Sequence, residues 1–226
     1  MTGHILDSPV WGALASCHRH LAVGDGAARR YPVDIGPFAA VCDDGEAART
    51  ALGGLIAATG RVGFVHLAPF ACPAGAGEVH RFDVHQMLLQ RADEAAEDTG
   101  LIRLGQADSA EMVALAQLTR PGPFERNTYM LGEYWGIRMG GRLVAMAGER
   151  MSVPGFTEIS GVATHPEHRG KGHAGRLCRH LMARITGRGD RAFLHVETTK
   201  PAVEEIYRNM GFETRQTLHV QVFEPL

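Results

Sequence analysis

The chain has 226 residues, 45% hydrophobic and 21% charged, with 23 Lys+Arg against 25 Asp+Glu. That balance excludes wholesale disorder and leaves no net positive field for a polyanion, so no nucleic-acid partner is expected. No apolar run reaches the roughly 20 residues that cross a bilayer, and the start MTGHILDSPVW has no signal-peptide pattern, so a cytoplasmic location without a membrane partner is expected.

In chain order, Ser8 followed by Pro9 marks a helix start, with Val10, Leu14, Cys17 and Leu21 recurring at helical spacing. Phe38 to Cys42 reads as a strand, and Asp44 opens a helix carrying Ala48, Leu52 and Leu55. Val62 to Leu67 and Val84 to Leu89 read as two further strands, separated by the loop PFACPAGAGE. The charged stretch RADEAAEDTG, 91–100, is the natural boundary between an N-terminal region, 1–95, and a second domain, 100–226.

Beyond it, Leu101 to Leu104 is a short strand, and Asp108 with Glu111 forms a capping box for a helix ending before Pro121. Tyr134 to Met139 and Leu143 to Met151 are joined by Gly140-Gly141, a hairpin signal, and Val153-Pro154-Gly155 leads into Phe156 to Thr164. Three antiparallel strands are therefore expected. A helix follows (Ala174, Leu177, Leu181, Ile185), then a strand (Ala192 to Glu197), a helix (Ala202 to Asn209) and a last strand alternating at Leu218, Val220 and Val222.

Chemistry concentrates in EISGVATHPEHRGKGHAGRLCRHLMARI, 158–185. Its Gly170-Lys171-Gly172-His173-Ala174-Gly175 is a literal GxGxxG between strand and helix, where backbone amides can approach a pyrophosphate. A dinucleotide site, however, takes its glycines directly after a strand opening a parallel unit. Here Pro166-Glu167-His168-Arg169 intervenes after a meander.

VATHPEHRGKGHAGRL resembles instead the acyl-CoA loop of the GNAT superfamily of N-acetyltransferases. Arg169, Gly172 and Ala174 fill the family pattern, with Pro166 three residues before the Arg. Downstream, HVETTKPAVEEIYRNMGF supplies the expected Tyr207 and Gly211-Phe212. The resemblance covers roughly residues 101 to 226, with GEYWGIRMGGRLVAMAGERMSVPGFTEISGVATHP similar to the glycine N-acyltransferase-like branch. It implies a mixed α/β fold, with a central, mostly antiparallel sheet flanked by helices. The strand and helix alternation of the N-terminal region fits an added half, read as a degenerate copy of that fold.

The resemblance further implies acetyl transfer from acetyl-CoA to a primary amine, by direct attack in a ternary complex. Gly170 to Gly175 would form an anion nest backed by the helix dipole, with His173, Ala174, Arg169 and Lys171 in the loop and Val162 and Thr164 leading into it. Where the family often has Asn, this chain has Lys200, so the Asn contact does not carry over; Lys200 reads first as a surface lysine, with a phosphate contact as the alternative. Glu158 is the first candidate base, placed by alternation on one face with Ser160, Val162 and Thr164, with a structural role such as a cross-strand salt bridge as the alternative; Glu149 is in reserve. Tyr207 is the candidate acid, and the Val162 amide the oxyanion donor beside an irregularity at Gly161.

His195 and Glu197 share a strand face and read as a core histidine or as lining of the substrate side. His165, His168 and His173 crowd the loop, yet an anion loop lacks the rigid, dry surroundings of a zinc site. Cys17, Cys42, Cys72 and Cys178 are scattered without a CxxC pair, so neither metal nor disulfide is expected. The expected acceptor is a small-molecule or peptide amine, and the assembly a monomer or homodimer. The rival expectations are a non-catalytic acyl-CoA-binding module and a dinucleotide-dependent oxidoreductase.

Overall fold

The structure, a computed structural model, describes residues 3–24, 26–91 and 100–226. Most of the boundary stretch at 91–100 lies outside the described residues. The N-terminal region contributes α1 (Pro9–Ala15), β1 (Ala28–Arg30), β2 (Phe38–Val41), α2 (Glu46–Thr59), β3 (Val62–His66) and β4 (Ala76–Leu89). The remainder contributes β5 (Ile102–Leu104), α3 (Ser109–Thr119), β6 (Tyr134–Met139), β7 (Arg142–Val153), β8 (Phe156–Thr164), α4 (His173–Gly187), β9 (Arg191–Glu197), α5 (Pro201–Arg208) and β10 (Phe212–Pro225).

All ten strands form one sheet in the order β1-β2-β3-β10-β4-β9-β8-β7-β6-β5. The expected meander is present, with β6, β7 and β8 antiparallel in sequence. Two parallel contacts interrupt the antiparallel pattern, β2 with β3 across α2 and β8 with β9 across α4. The longest ladder joins the two regions, because β4 and β10, each 14 residues, pair from Phe212↔Leu89 to Pro225↔Ala76. On its other edge β4 pairs with β9, and β10 pairs with β3. Each region thus places its last strand beside the other region's parallel pair.

Helices cover both faces. On one, Leu6, Val10 and Leu14 pack with Phe38, Val84, Phe193 and Leu218, and Met112 and Leu115 of α3 pack with Tyr134, Met146 and Ala163. On the other, Leu177, Leu181 and Ile185 of α4 meet Ala145, Ile159, Leu194 and Val196, while Leu52 and Ile56 of α2 meet Val62, Phe64 and Phe223. These helices present apolar residues at three- and four-residue spacing, which is what buries them.

Three local expectations differ. The first helix stops at Ala15, and Leu21 belongs to a separate 3-10 turn, Arg19–Leu21. The capping box at Asp108 does not form: Asp108 accepts from the Gly105 amide (3.0 Å) and Arg138 (2.7 Å), and Glu111 accepts from Arg138 and the Leu143 amide. A guanidinium between the two carboxylates outcompetes a neutral amide. The strand read as Val84 to Leu89 begins eight residues earlier, at Ala76.

Because β4 and β10 each complete the other region's sheet, the regions are expected to unfold as one cooperative unit. Phe64→Ala should cost about 3–5 kcal/mol and Leu194→Ala about 2–5 kcal/mol, both shifting a single urea transition. Two separable transitions in either variant would contradict this.

Candidate active site

The sheet opens at one place that matters for chemistry. β8 and β9 share a register only from Phe156↔Arg191 to Glu158↔Phe193, and both strands continue beyond it, to Thr164 and Glu197, without further pairing. On its other side β8 slips register against β7 between Met146 and Gly148, where Gly161 takes φ 62. Gly161 and Val162 fall in that gap, beside the parted strands. The irregularity expected at Gly161 is therefore a bulge requiring a left-handed backbone. Tyr134 lies against it: a Cβ at Gly161 would stand 3.2 Å from the ring, and one at Gly148 only 2.3 Å.

The bulge changes the faces. Glu158 and His195 lie on the α1 side, whereas Val162 packs into the α4 cluster together with Tyr207. The expected single face for Glu158, Val162 and Thr164 is corrected accordingly, because one extra residue inverts alternation.

Glu158 is fully buried. Arg150 donates to it through Nε (2.8 Å) and Nη2 (2.5 Å), and His195 Nδ1 lies 2.7 Å from the same carboxylate. Gln86 Nε2 lies 3.0 Å from His195 Nε2 and donates to the Leu6 carbonyl, while Gln86 Oε1 accepts from Arg215 Nε at 2.6 Å. Arg215 continues to Asp7 at 2.5 Å. The Gln86 amide and the Glu158 carboxylate thus take one ring nitrogen of His195 each. Arg150, Glu158, His195, Gln86 and Arg215 sit on β7, β8, β9, β4 and β10, five consecutive strands of the sheet. This polar chain crosses the sheet where the β8–β9 ladder ends.

Burial pushes the Glu158 carboxyl up, but the Arg150 guanidinium and then His195 more than reverse this and hold it at about 2. Glu158 is therefore a permanent carboxylate. Glu149, the reserve base, sits across from Ile159 and accepts from Arg188 at 2.7 Å and from the Glu133 amide at 3.2 Å. The partnership of Glu158 with Arg150 and His195 was not legible in sequence. Bulges on both β7 and β8 scramble the cross-strand count that would have paired them.

The loop between β8 and α4 brings together the predicted donor-binding residues. A 3-10 turn, Pro166–His168, is capped by His165 Nδ1, which accepts from the Glu167 amide at 3.4 Å. Arg169 Nε lies 3.4 Å from the Thr164 carbonyl. Gly170 and Gly172 have φ 74 and φ 76, and a Cβ at either would meet nothing within 4 Å. The loop thus needs glycine for its backbone and presents an open concavity at the N-terminus of a 15-residue helix.

Around it, Thr164 Oγ1, His168 Nδ1 and both ring nitrogens of His173 are buried without a hydrogen-bond partner. Such groups cost about 1–3 kcal/mol each. They cluster where the glycine loop meets the N-terminus of α4. Lys200 caps α5 and pairs with Glu197 at 2.7 Å rather than with the loop. His165, Glu167 and His168 bring three ligand atoms within 4.8 Å of one another, with His165 Nδ1 committed to the turn.

Tyr207, on α5, packs against the α4 cluster, edge-on to Phe212 at 6.0 Å between ring centres. Burial, with a smaller contribution from Cys178, pushes its phenol well above the usual range. It stays protonated at any physiological pH, as a proton donor must.

Removing the Glu158 charge leaves Arg150 buried and uncompensated. Glu158→Gln should cost about 3–5 kcal/mol of unfolding free energy at pH 7. Because the folded pKa lies below the ordinary carboxylate value, this contribution is complete above that value and lost as pH falls toward about 2. Urea titrations of wild type and variant should converge at acid pH; a constant difference would refute the ion-pair account.

The family model described as FR47-like protein matches residues 134–220. No curated protein matches the chain. Among solved structures, a GNAT-family protein from Novosphingobium aromaticivorans is similar at 35% identity, with 99% of this chain and 100% of that one covered and a TM-score of 0.93. A GCN5-related N-acetyltransferase from Kribbella flavida (18% identity, 96% and 95% covered, TM-score 0.60) has the same fold. So does a GNAT-family acetyltransferase from Colwellia psychrerythraea (12% identity, 96% and 97% covered, TM-score 0.53). No helix among the described residues is long and apolar enough to cross a membrane. With the glycine cradle, the parted strands and a relative matching over its whole length, this chain belongs to the GNAT superfamily of N-acetyltransferases.

Proposed function

We propose that the protein moves an acetyl group from acetyl-CoA to a primary amine of a small-molecule or peptide acceptor, by direct attack within a ternary complex. It works in the cytoplasm as a monomer or homodimer, with neither nucleic acid nor membrane as partner. The observation that carries this reading is the coincidence of the glycine loop, with its unpartnered buried polar groups, and the β8–β9 opening that follows the ladder.

Acetyl-CoA supplies the activated thioester. The amides from Gly170 to Gly175, with Arg169 and Lys171, hold its phosphates, and Thr164 Oγ1 offers a further hydrogen bond on the way to the opening. The Val162 amide, in the register gap, faces the thioester oxygen and stabilises the charge that develops there. Tyr207, kept protonated by burial, donates to the departing sulfur. Lys200 reaches a phosphate only by exchanging Glu197 for it.

Glu158 supplies the base's charge and His195 takes the proton. The carboxylate fixes the imidazole proton on Nδ1 and leaves Nε2, now accepting from Gln86, as the basic nitrogen. The amine's proton passes to that nitrogen once Gln86 gives way.

Release of free thiol with a panel of amines is the direct test. Turnover on at least one amine is expected, and CoA binding without turnover on any would favour a non-catalytic acyl-CoA module. Gly172→Glu, which sets a carboxylate in the cradle, should abolish acetyl-CoA binding in calorimetry, and unchanged affinity would remove the loop assignment. Acetyl-CoA should raise the melting temperature where NAD(P) does not. Tyr207→Phe should lower kcat about a hundredfold with little change in donor affinity. Unaltered pH-rate profiles in both Glu158→Gln and His195→Gln would remove the dyad as base.

A further inference from the structure

We infer that His168 and His173 bind the acyl donor's diphosphate as imidazolium ions, so that donor binding takes up protons. This rests on the reading of the loop as the donor site and extends it to the protonation state of two residues.

The placement is specific. His173 is the first residue of α4 and only 8% exposed, yet neither of its ring nitrogens has a partner. His168 ends the preceding 3-10 turn with its Nδ1 likewise buried and unpartnered, and the two rings lie 6.5 Å apart between centres. Between them in sequence run Arg169, Gly170, Lys171 and Gly172, with the two left-handed glycines that open the cradle. A buried imidazole with no partner at either nitrogen is a poor structural element, because an apolar side chain of similar size would fill the space without that penalty. It becomes a useful one when an anion supplies the acceptor.

The charges around the pair set the sign. Arg169 and Lys171 on the loop and Arg176 on α4 are cationic, His165 stands on the turn with its ring 5.8 Å from that of His168, and Glu167, largely exposed, is the acidic group beside them. Burial, then Arg176, His168 and Lys171, hold the His173 pKa down in the free protein. A diphosphate cancels that repulsion and gives each imidazolium N–H an acceptor, so binding favours the protonated form. A group protonated more readily in the complex than in the free protein draws affinity upward as pH falls. The gain begins at the bound-state pKa and levels off below the free-state pKa.

Isothermal calorimetry in buffers of different ionisation enthalpy reads the uptake directly. Dephospho-CoA is the probe, because it keeps the diphosphate but lacks the 3′-phosphate whose own titration would confuse the result. For wild type near neutral pH we expect the apparent enthalpy to vary with buffer in the direction of proton uptake, and affinity to rise by up to about tenfold per pH unit for each proton bound. His173→Gln should bind more weakly and lose most of the buffer dependence. His168→Gln, at the less buried site, should lose part of it and serves if the first variant does not fold. Tight binding in the wild type with no buffer dependence overturns the inference and leaves the donor site standing. Failure of both CoA and dephospho-CoA to bind at any pH overturns the donor site and this inference together.

Discussion

Two parallel strands that begin as partners and then separate are the constraint around which this molecule is built. Where β8 and β9 part, backbone groups that a sheet would pair are left to other means, and the sheet could widen or collapse. The polar chain from Arg150 through Glu158, His195 and Gln86 to Arg215 lies across five strands at that level. Side-chain hydrogen bonds there replace the ladder that stops. Every member is satisfied by its neighbours, the condition under which a buried polar network fixes one arrangement rather than loosening the core. The same network ties Asp7 and the Leu6 carbonyl, ahead of α1, to the sheet.

The opening also divides labour between faces. The carboxylate–imidazole pair lies toward α1, while Val162, Tyr207 and α4 lie on the other side. A single bulged residue, Gly161, lets one strand serve both. Its neighbour Tyr134 enforces glycine at 161 and at 148, so the irregularity is held by packing as well as by backbone preference.

Much of this was legible in the sequence. Periodicity locates the meander, α4 and β9, and Arg169, Gly172 and Ala174 mark the glycine loop that opens α4, since those features are written in contiguous residues. The early half of β4 is not legible because Glu78 to Arg81 are exposed, and a strand paired along one edge and bare on its faces shows no apolar alternation. The same holds for Glu213 to Thr217 at the start of β10. Within the site, alternation marks Glu158, but not Arg150, which reaches it from eight residues away under a register that bulges shift, nor Gln86, which meets His195 across from the neighbouring β4. The role of His195, read as either core or lining, needed the same cross-strand geometry.

The exchange of β4 and β10 between regions has a consequence for the birth of the protein. During synthesis β2, α2, β3 and β4 emerge first, but β3 and β4 meet only through β10, which is made after every other element. The early region must therefore wait with two strand edges bare while well over a hundred further residues are translated. Sheets completed by such distant pairings form slowly and expose themselves to wrong partners. The charged and polar residues along the first half of β4, an ordinary solvent-facing pattern in the finished fold, also guard that edge while it waits.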